Sequence, residues 1–342
     1  MEKYMRRCFQ LARLGAGSVS PNPLVGAVLV YGTRIIGEGW HRRYGEAHAE
    51  VHAIRSVTEA DRHLISHSTL YCSLEPCFHF GKTPPCVDLV LAEKIPRVVV
   101  ANTDPNPMVA GQSLKKLQAA GVEVASGLLE SEGRYLNRAF FTWIEKKRPY
   151  IVLKWAQSAD GFLARFGERT AISGPFAQRL VHRWRSEADA ILVGTTTAIT
   201  DNPRLDNRHY FGKSPLRIAL DFDGKIPVNT HLLDDRQLTW IVGHTRAGEY
   251  QKTRFLPIPV PTSDWIGYLL ENLFQEKRAI FLVEGGANVL RQFMETGLWD
   301  EIRMIQNPLQ LHRGVAAPAI PGEAKLAETT TLGDDSVRVF GR

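Results

Sequence analysis

Cysteine is scarce here, with four in 342 residues. So few thiols exclude a disulfide-stapled fold and point to a reducing, cytoplasmic setting. Long apolar runs are missing too. No stretch is long enough to span a bilayer, and Met1-Glu2-Lys3-Tyr4-Met5-Arg6-Arg7 leads into a helical pattern instead of a signal-peptide core. There is no internal repeat, low-complexity tract or long charge run. Gly-x-Gly-x-x-Gly is absent, so an ordinary Rossmann site is not indicated. What remains is ordinary globular composition, 44% hydrophobic and 23% charged, with enough length for two full cores. A net charge of +6 and a pI of about 9.1 suit phosphate-bearing small substrates as well as nucleic acid, and decide nothing alone.

Two of the four cysteines fall in a pattern that carries chemistry. His48-Ala49-Glu50 is followed by Pro76-Cys77 and then Cys86. A catalytic zinc takes three protein ligands and keeps a fourth position for water, whose pKa falls to about 7. Two thiolates and an imidazole form a soft shell suited to that ion. Glu50, two residues after His48 at a helix start, is placed beside the metal as a non-ligating proton shuttle. Cys86 follows Pro84-Pro85 and opens an apolar helix, where dipole and metal both favour thiolate. His-x-Glu alone reads as a surface helix start, and two cysteines as a structural zinc knuckle or unrelated core thiols. In this order together they make the signature of a zinc deaminase. Cys8 and Cys72, in amphipathic and strand-like runs, read as small buried hydrophobes.

Strand patterns at residues 25–30, 34–39, 69–74, 97–101 and 122–127 alternate with helix patterns at 2–14, 48–56, 86–93 and 112–120, predicting an α/β layer fold. Lys146-Lys147-Arg148-Pro149 interrupts them as a basic, proline-ended linker. We therefore expect domains at 1–147 and 148–342. The second opens a new set of strands at 151–156, 190–194, 216–221, 238–243, 279–284 and 301–305. Within it, residues 281–290 read as a buried strand, a Gly285-Gly286 turn and a helix start. Such a turn lets a pyrophosphate approach backbone N–H groups, but is also a common structural feature.

Eight residues separate Cys77 from Cys86, where nucleic-acid deaminases have C-x-x-C. That loop carries His79, Lys82 and Thr83, groups suited to a phosphorylated small substrate. Leu74 to Cys86, Pro21-Asn22-Pro23-Leu24-Val25-Gly26, Gly39-Trp40-His41 and the run from Asp104 to Gly111 together resemble the bifunctional deaminase/reductase family of riboflavin biosynthesis. The resemblance implies a cytidine-deaminase-like three-layer domain followed by a dihydrofolate-reductase-like α/β domain. It implies Zn²⁺ on His48, Cys77 and Cys86, with Glu50 catalytic and Asn22, His41, His79 and Lys82 on the substrate. In the second domain, the blocks at 153–161, 185–197, 201–208 and 284–286 imply an NADPH site. Carried over by position, Ala156, Thr197, Asp201, Gly286, Ala287, Asn288, Val289 and Leu290 contact NADPH, while Arg185, Leu205, Arg208 and Glu284 hold the substrate. The two arginines make sense as phosphate anchors.

The sequence departs from the family pattern at Phe78, in Arg169-Thr170-Ala171-Ile172-Ser173 and in the run from Asn307 to His312. The expected reactions are removal of the 2-amino group of 2,5-diamino-6-(5-phosphoribosylamino)pyrimidin-4-one, then NADPH-dependent reduction of its ribosyl group to ribityl. Lys154, Asp201 or Glu284 is the candidate proton carrier in the second step. The expected partner is that phosphorylated pyrimidine, with no nucleic acid or membrane, in a homo-oligomer, dimer or tetramer. A nucleoside- or tRNA-editing deaminase predicts the short cysteine spacing and leaves residues 150–342 without a role. A zinc-organised scaffold needs neither Glu50 nor an NADPH site.

Overall fold

The computed structural model describes residues 1–78, 84–107, 109–259 and 264–342. The chain divides into two compact units, Met1–Lys147 and Arg148–Arg342.

The first unit runs α1 (Glu2–Arg13), β1 (Gly26–Tyr31), β2 (Arg34–Trp40), α2 (Ala49–Arg55), β3 (Thr69–Leu74) and α3 (Cys86–Ala92). It continues with β4 (Arg97–Asn102), α4 (Gln112–Ala119), β5 (Glu123–Ser126), α5 (Glu130–Leu136) and α6 (Arg138–Lys146). The sheet order is β2-β1-β3-β4-β5, with β1 antiparallel to both neighbours and the rest parallel. Strand side chains alternate between faces, and the core follows that period. Ala27, Leu29, Leu70, Cys72, Val98 and Val100 pack on one face against α2, α3 and α4. Val28, Val30, Tyr71, Val99 and Ala101 pack on the other against α1 and Leu136 of α5. Three layers result. Cys8 and Cys72 are both fully buried, in opposite layers. Gly39 sets the position of α2: a Cβ there would lie 2.3 Å from Ala53 N and 2.4 Å from Ala49 O, so only glycine lets this helix lie so close to β2.

The second unit opens with β6 (Tyr150–Gln157), β7 (Phe162–Ala164), α7 (Pro175–Glu187), β8 (Ala190–Val193), α8 (Thr195–Thr200) and β9 (Leu216–Leu220). Next come β10 (Thr239–Gly243), β11 (Gly248–Tyr250), β12 (Thr253–Pro257), α9 (Trp265–Gln275), β13 (Ile280–Val283) and α10 (Ala287–Glu295). Last are β14 (Glu301–Gln306), β15 (Val315–Ala316), β16 (Lys325–Leu332) and β17 (Asp335–Gly341). The main sheet has the order β11-β12-β10-β9-β8-β13-β6-β14-β17-β16. From β12 to β14 the pairings are parallel; β11, β17 and β16 add antiparallel edges. Strands covered on both faces read as continuous apolar runs, as Ala190-Ile191-Leu192-Val193 does with every side chain buried. The carboxyl ends of β6, β8, β9 and β13 converge on one opening, where open parallel sheets bind ligands.

Candidate functional site

In the first unit, His48 is the N-cap of α2 and Glu50 lies in that helix's first turn, 2% exposed. Cys86 is the first residue of α3, and Cys77 follows β3. The Cys86 backbone N–H donates to Cys77 Sγ at 3.1 Å, and Cys86 Sγ lies 3.4 Å from His48 Nδ1. The donor atoms of His48, Cys77 and Cys86 all fall within 4.8 Å of one another. In a tetrahedral zinc shell, bonds of about 2.0 Å to nitrogen and 2.3 Å to sulfur put those atoms about 3.6 Å apart. The three side chains therefore fit zinc, with one coordination position to spare.

Charge in the cluster is tuned by burial and by the partners' hydrogen bonds. The hydrogen bond from Cys86 drives Cys77 down to about 4 against burial, and His48 helps. That bond and burial raise Cys86. Burial first, then Cys77, pushes Glu50 up to about 7, opposed by His48 and by a hydrogen bond with Cys86. Glu50 lies in the first turn of α2, two residues after His48, and the three grouped donors do not include it. Bound zinc would oppose the rises at Cys86 and Glu50 and reinforce the fall at Cys77.

His41 packs edge-on to His48, with ring centroids 5.3 Å apart, and is 2% exposed. Its Nδ1 lies 3.3 Å from the Ala47 carbonyl and its Nε2 lies 3.3 Å from Asn22 Nδ2. A carbonyl only accepts, so Nδ1 carries the proton of the neutral ring and Nε2 accepts from Asn22. Both ring nitrogens are thus engaged, and Asn22 Oδ1 is left as an acceptor. His79 and Lys82 lie outside the described residues.

In the second unit a cavity of about 960 Å³ is lined by residues from the sequence blocks singled out above. Ala156, Thr197, Asp201, Leu205 and Arg208 line it, as do Glu284, Gly286, Ala287, Asn288 and Val289. Leu290 does not: it is fully buried in the hydrophobic core, and its backbone N–H is spent on Gly286 O inside α10. The expectation that Leu290 contacts a cofactor is therefore corrected; one helical turn after Gly286, it faces the core.

Arg185 lines the cavity too, paired to a neighbouring carboxylate. Its Nε and Nη2 fork onto the Glu284 carboxylate at 3.0 and 2.9 Å, and Lys154 Nζ lies 3.5 Å from the same group. Burial would raise Glu284, but Arg185 and Lys154 override it and hold the carboxyl at about 2. Burial lowers Lys154, partly offset by Glu284. Two cations share one anion, leaving excess positive charge beside the cavity. Arg208 is the more open arginine, its side chain 42% exposed against 13% for Arg185, and is paired to Asp206.

Residues 149–342 match the RibD C-terminal domain, and residues 1–102 match the cytidine and deoxycytidylate deaminase zinc-binding region. The riboflavin biosynthesis protein RibD of Aquifex aeolicus is 38% identical over 321 residues, covering 92% of this chain and 89% of that one. The Escherichia coli K12 protein of that name is 34% identical, covering 99% and 96%. This chain belongs to the RibD family. Among solved structures, the Thermotoga maritima diaminohydroxyphosphoribosylaminopyrimidine deaminase/5-amino-6-(5-phosphoribosylamino)uracil reductase superposes with a TM-score of 0.90 at 31% identity. It covers 99% of this chain and 98% of its own. The family is a bifunctional deaminase and reductase of riboflavin biosynthesis, and this chain is such an enzyme, with a zinc-binding deaminase domain and a reductase domain. No helix among the described residues is long and apolar enough to cross a membrane.

Glu75 is the site residue the sequence reading passed over, although it sits in the Leu74-Glu75-Pro76-Cys77 run. Its buried carboxylate accepts the backbone N–H groups of Asp104, Gly111 and Ser113 and the Ser113 hydroxyl. It thereby ties the turn into Cys77 to the loop before α4. A glutamate immediately before Pro-Cys was the available signal, but its partners lie about 30 residues away or more, beyond any local pattern.

Proposed function

We propose that His48, Cys77 and Cys86 hold the catalytic zinc, with Glu50 the proton carrier in hydrolytic loss of the 2-amino group of 2,5-diamino-6-(5-phosphoribosylamino)pyrimidin-4-one. The deaminated product is then reduced in the cavity of the second unit. The observation that carries this reading is the meeting of three soft donors with a buried carboxyl beside them. Bound there, zinc supplies Lewis acidity that activates water near neutral pH. Glu50 takes the proton from the attacking water and returns protons to the ring nitrogen and the departing amino group, so that ammonia leaves and a carbonyl remains. Asn22, held by His41, offers Oδ1 to a ring N–H. His79 and Lys82 belong to this substrate site by the family pattern alone.

Bound in the second unit's cavity, NADPH would supply the hydride for reduction of C1′ of the ribosyl group. Glu284, held ionised by Arg185 and Lys154, is an acceptor and not a proton donor. That leaves Lys154 and Asp201 to protonate the ring oxygen as the sugar opens. Arg208 anchors the substrate phosphate; the turn from Gly286 to Val289, with Ala156, Thr197 and Asp201, holds the nicotinamide dinucleotide. We read the working protein as a cytoplasmic homo-oligomer, a dimer or tetramer, which sedimentation checks. Purified protein given the diaminopyrimidine should release ammonia without NADPH and oxidise NADPH only once deamination has occurred. Zinc-loaded protein that releases no ammonia would refute the first step.

A further inference from the structure

Buried in the second unit, His182 has no place in the chemistry above, yet it touches the loop that carries Arg208. It lies on α7, 4% exposed, three residues before Arg185, so the two share a helix face, and both line the cavity. Its Nδ1 lies 3.2 Å from the Arg208 backbone nitrogen. A backbone N–H only donates, so Nδ1 is unprotonated and the ring is neutral, with its hydrogen on Nε2. The His209 ring packs edge-on against it at 4.6 Å. Burial first, then the neighbouring Arg185, Arg208 and His209, keeps the ring neutral by lowering its pKa to about 4.

The loop needs such a hold. Leu205 adopts left-handed backbone, with φ of 50°, a conformation that persists in a leucine only where the surroundings over-determine it. Leu205 is plugged into the interior at 2% exposure, and Arg185 Nη1 reaches the Asp206 carbonyl at 3.4 Å. From α7, then, two side chains grip consecutive parts of the loop: Arg185 at Asp206, and His182 at Arg208.

We propose that His182 is a positioning residue of the reductase, which fixes the Arg208 guanidinium for the substrate phosphate by accepting the Arg208 backbone N–H on Nδ1. The inference rests on the reading of Arg208 as the phosphate anchor. Asparagine places an acceptor oxygen near the position of Nδ1, whereas leucine and alanine place none.

Full-length His182→Asn, His182→Leu, His182→Ala and Arg208→Ala variants should be compared with 5-amino-6-(5-phosphoribosylamino)uracil as reductase substrate. Ammonia release from the diaminopyrimidine in a parallel assay serves as a control, and NADPH binding checks that the second unit is folded. Arg208→Ala should raise the substrate KM on the order of 10-fold or more, as for a lost charge-assisted bond. His182→Leu and His182→Ala should raise it comparably, with kcat and the NADPH KM within about threefold; His182→Asn should recover to within about threefold of the parent. If one apolar variant does not fold, the other carries the comparison. Loss of activity in His182→Asn equal to that in the apolar variants, or a fall in kcat at constant KM, overturns the inference. Parent-like KM in the apolar variants beside a raised KM in Arg208→Ala overturns it while leaving the anchor intact. An unchanged KM in Arg208→Ala removes the anchor reading itself, and the inference with it.

Discussion

Glu75→Gln tests whether one buried carboxylate holds the deaminase loops together. Oε2 of Glu75 accepts from Asp104 N at 3.1 Å and Gly111 N at 2.9 Å; Oε1 accepts from Ser113 N at 3.2 Å and Ser113 Oγ at 2.6 Å. Three of these donors are backbone N–H groups and cannot turn round. Glutamine keeps the shape but must put an NH₂ in place of one oxygen. In the Oε2 position it opposes two amide hydrogens. In the Oε1 position the Ser113 hydroxyl can reverse and accept, yet Ser113 N–H remains opposed. Even the better choice orphans one buried N–H, at about 1–3 kcal/mol, and turns the surviving charge-assisted bonds into neutral ones, at about 0.5–1 kcal/mol each. The expected loss is about 3 kcal/mol. With a urea slope of about 2 kcal/mol/M, the midpoint of the first unit should fall by about 1.5 M. Zinc retention at a given urea concentration should fall with it, while NADPH oxidation with the deaminated substrate stays at the parent rate. A midpoint shift below about 0.3 M would show that the turn into Cys77 is held by something other than this carboxylate.

Cys86→Ser should abolish both stoichiometric zinc, expected at about one per chain, and deamination; active protein without zinc by metal analysis would refute the ligand assignment. Glu50→Gln should retain zinc and lower deamination by about 10²- to 10⁴-fold; near-parent turnover would remove Glu50 from the mechanism. The depressed pKa of His182 sets a pH dependence. Between about 4 and the usual 6.5 the folded protein leaves His182 neutral while the unfolded chain protonates it, so the second unit loses stability as pH falls through that window. Above 6.5 this contribution is constant. Urea midpoints from pH 4.5 to 7.5 should slope less in His182→Asn than in the parent, and equal slopes would refute the assignment.

Legibility in the sequence followed hydrophobic period. The predicted strand at 97–101 lies within Arg97–Asn102, and the predicted helix at 86–93 exceeds Cys86–Ala92 by one residue, because each presents an unbroken apolar pattern to a core. The α5 and α6 helices escaped that reading. They are divided at Asn137, whose side chain accepts from Leu24 N at 2.8 Å and donates to Leu24 O at 2.9 Å. An asparagine that pairs with the backbone 113 residues away looks from sequence like a loop residue. The β16–β17 hairpin escaped for the opposite reason. Its outer strand, Lys325–Leu332, is mostly exposed and buries no alternating face.

The larger gap concerns acidic residues, which sequence patterns assign to the surface. In the second unit they hold the frame of the cavity. Asp189 Oδ2 accepts the N–H groups of Ala279 and Ile280, both at 3.0 Å, tying the end of α7 to β13. Asp160 accepts from Leu311 N at 3.1 Å and His312 N at 2.7 Å; the Ser158 hydroxyl, with these backbone bonds, brings its carboxyl down to about 2. This bond pattern explains why the departure from the family pattern at His312 is structurally quiet: the backbone N–H makes the contact, and the side chain does not line the cavity. The segment from Arg169 to Ser173 is different, because all five residues line the cavity. Burial raises Asp201, and the Arg169 charge opposes that rise. Burial prevails there, so the Asp201 carboxyl stays above the usual carboxylate range despite Arg169. Of the sequence's departures in the reductase half, the segment from Arg169 to Ser173 is therefore the one that lines the cavity.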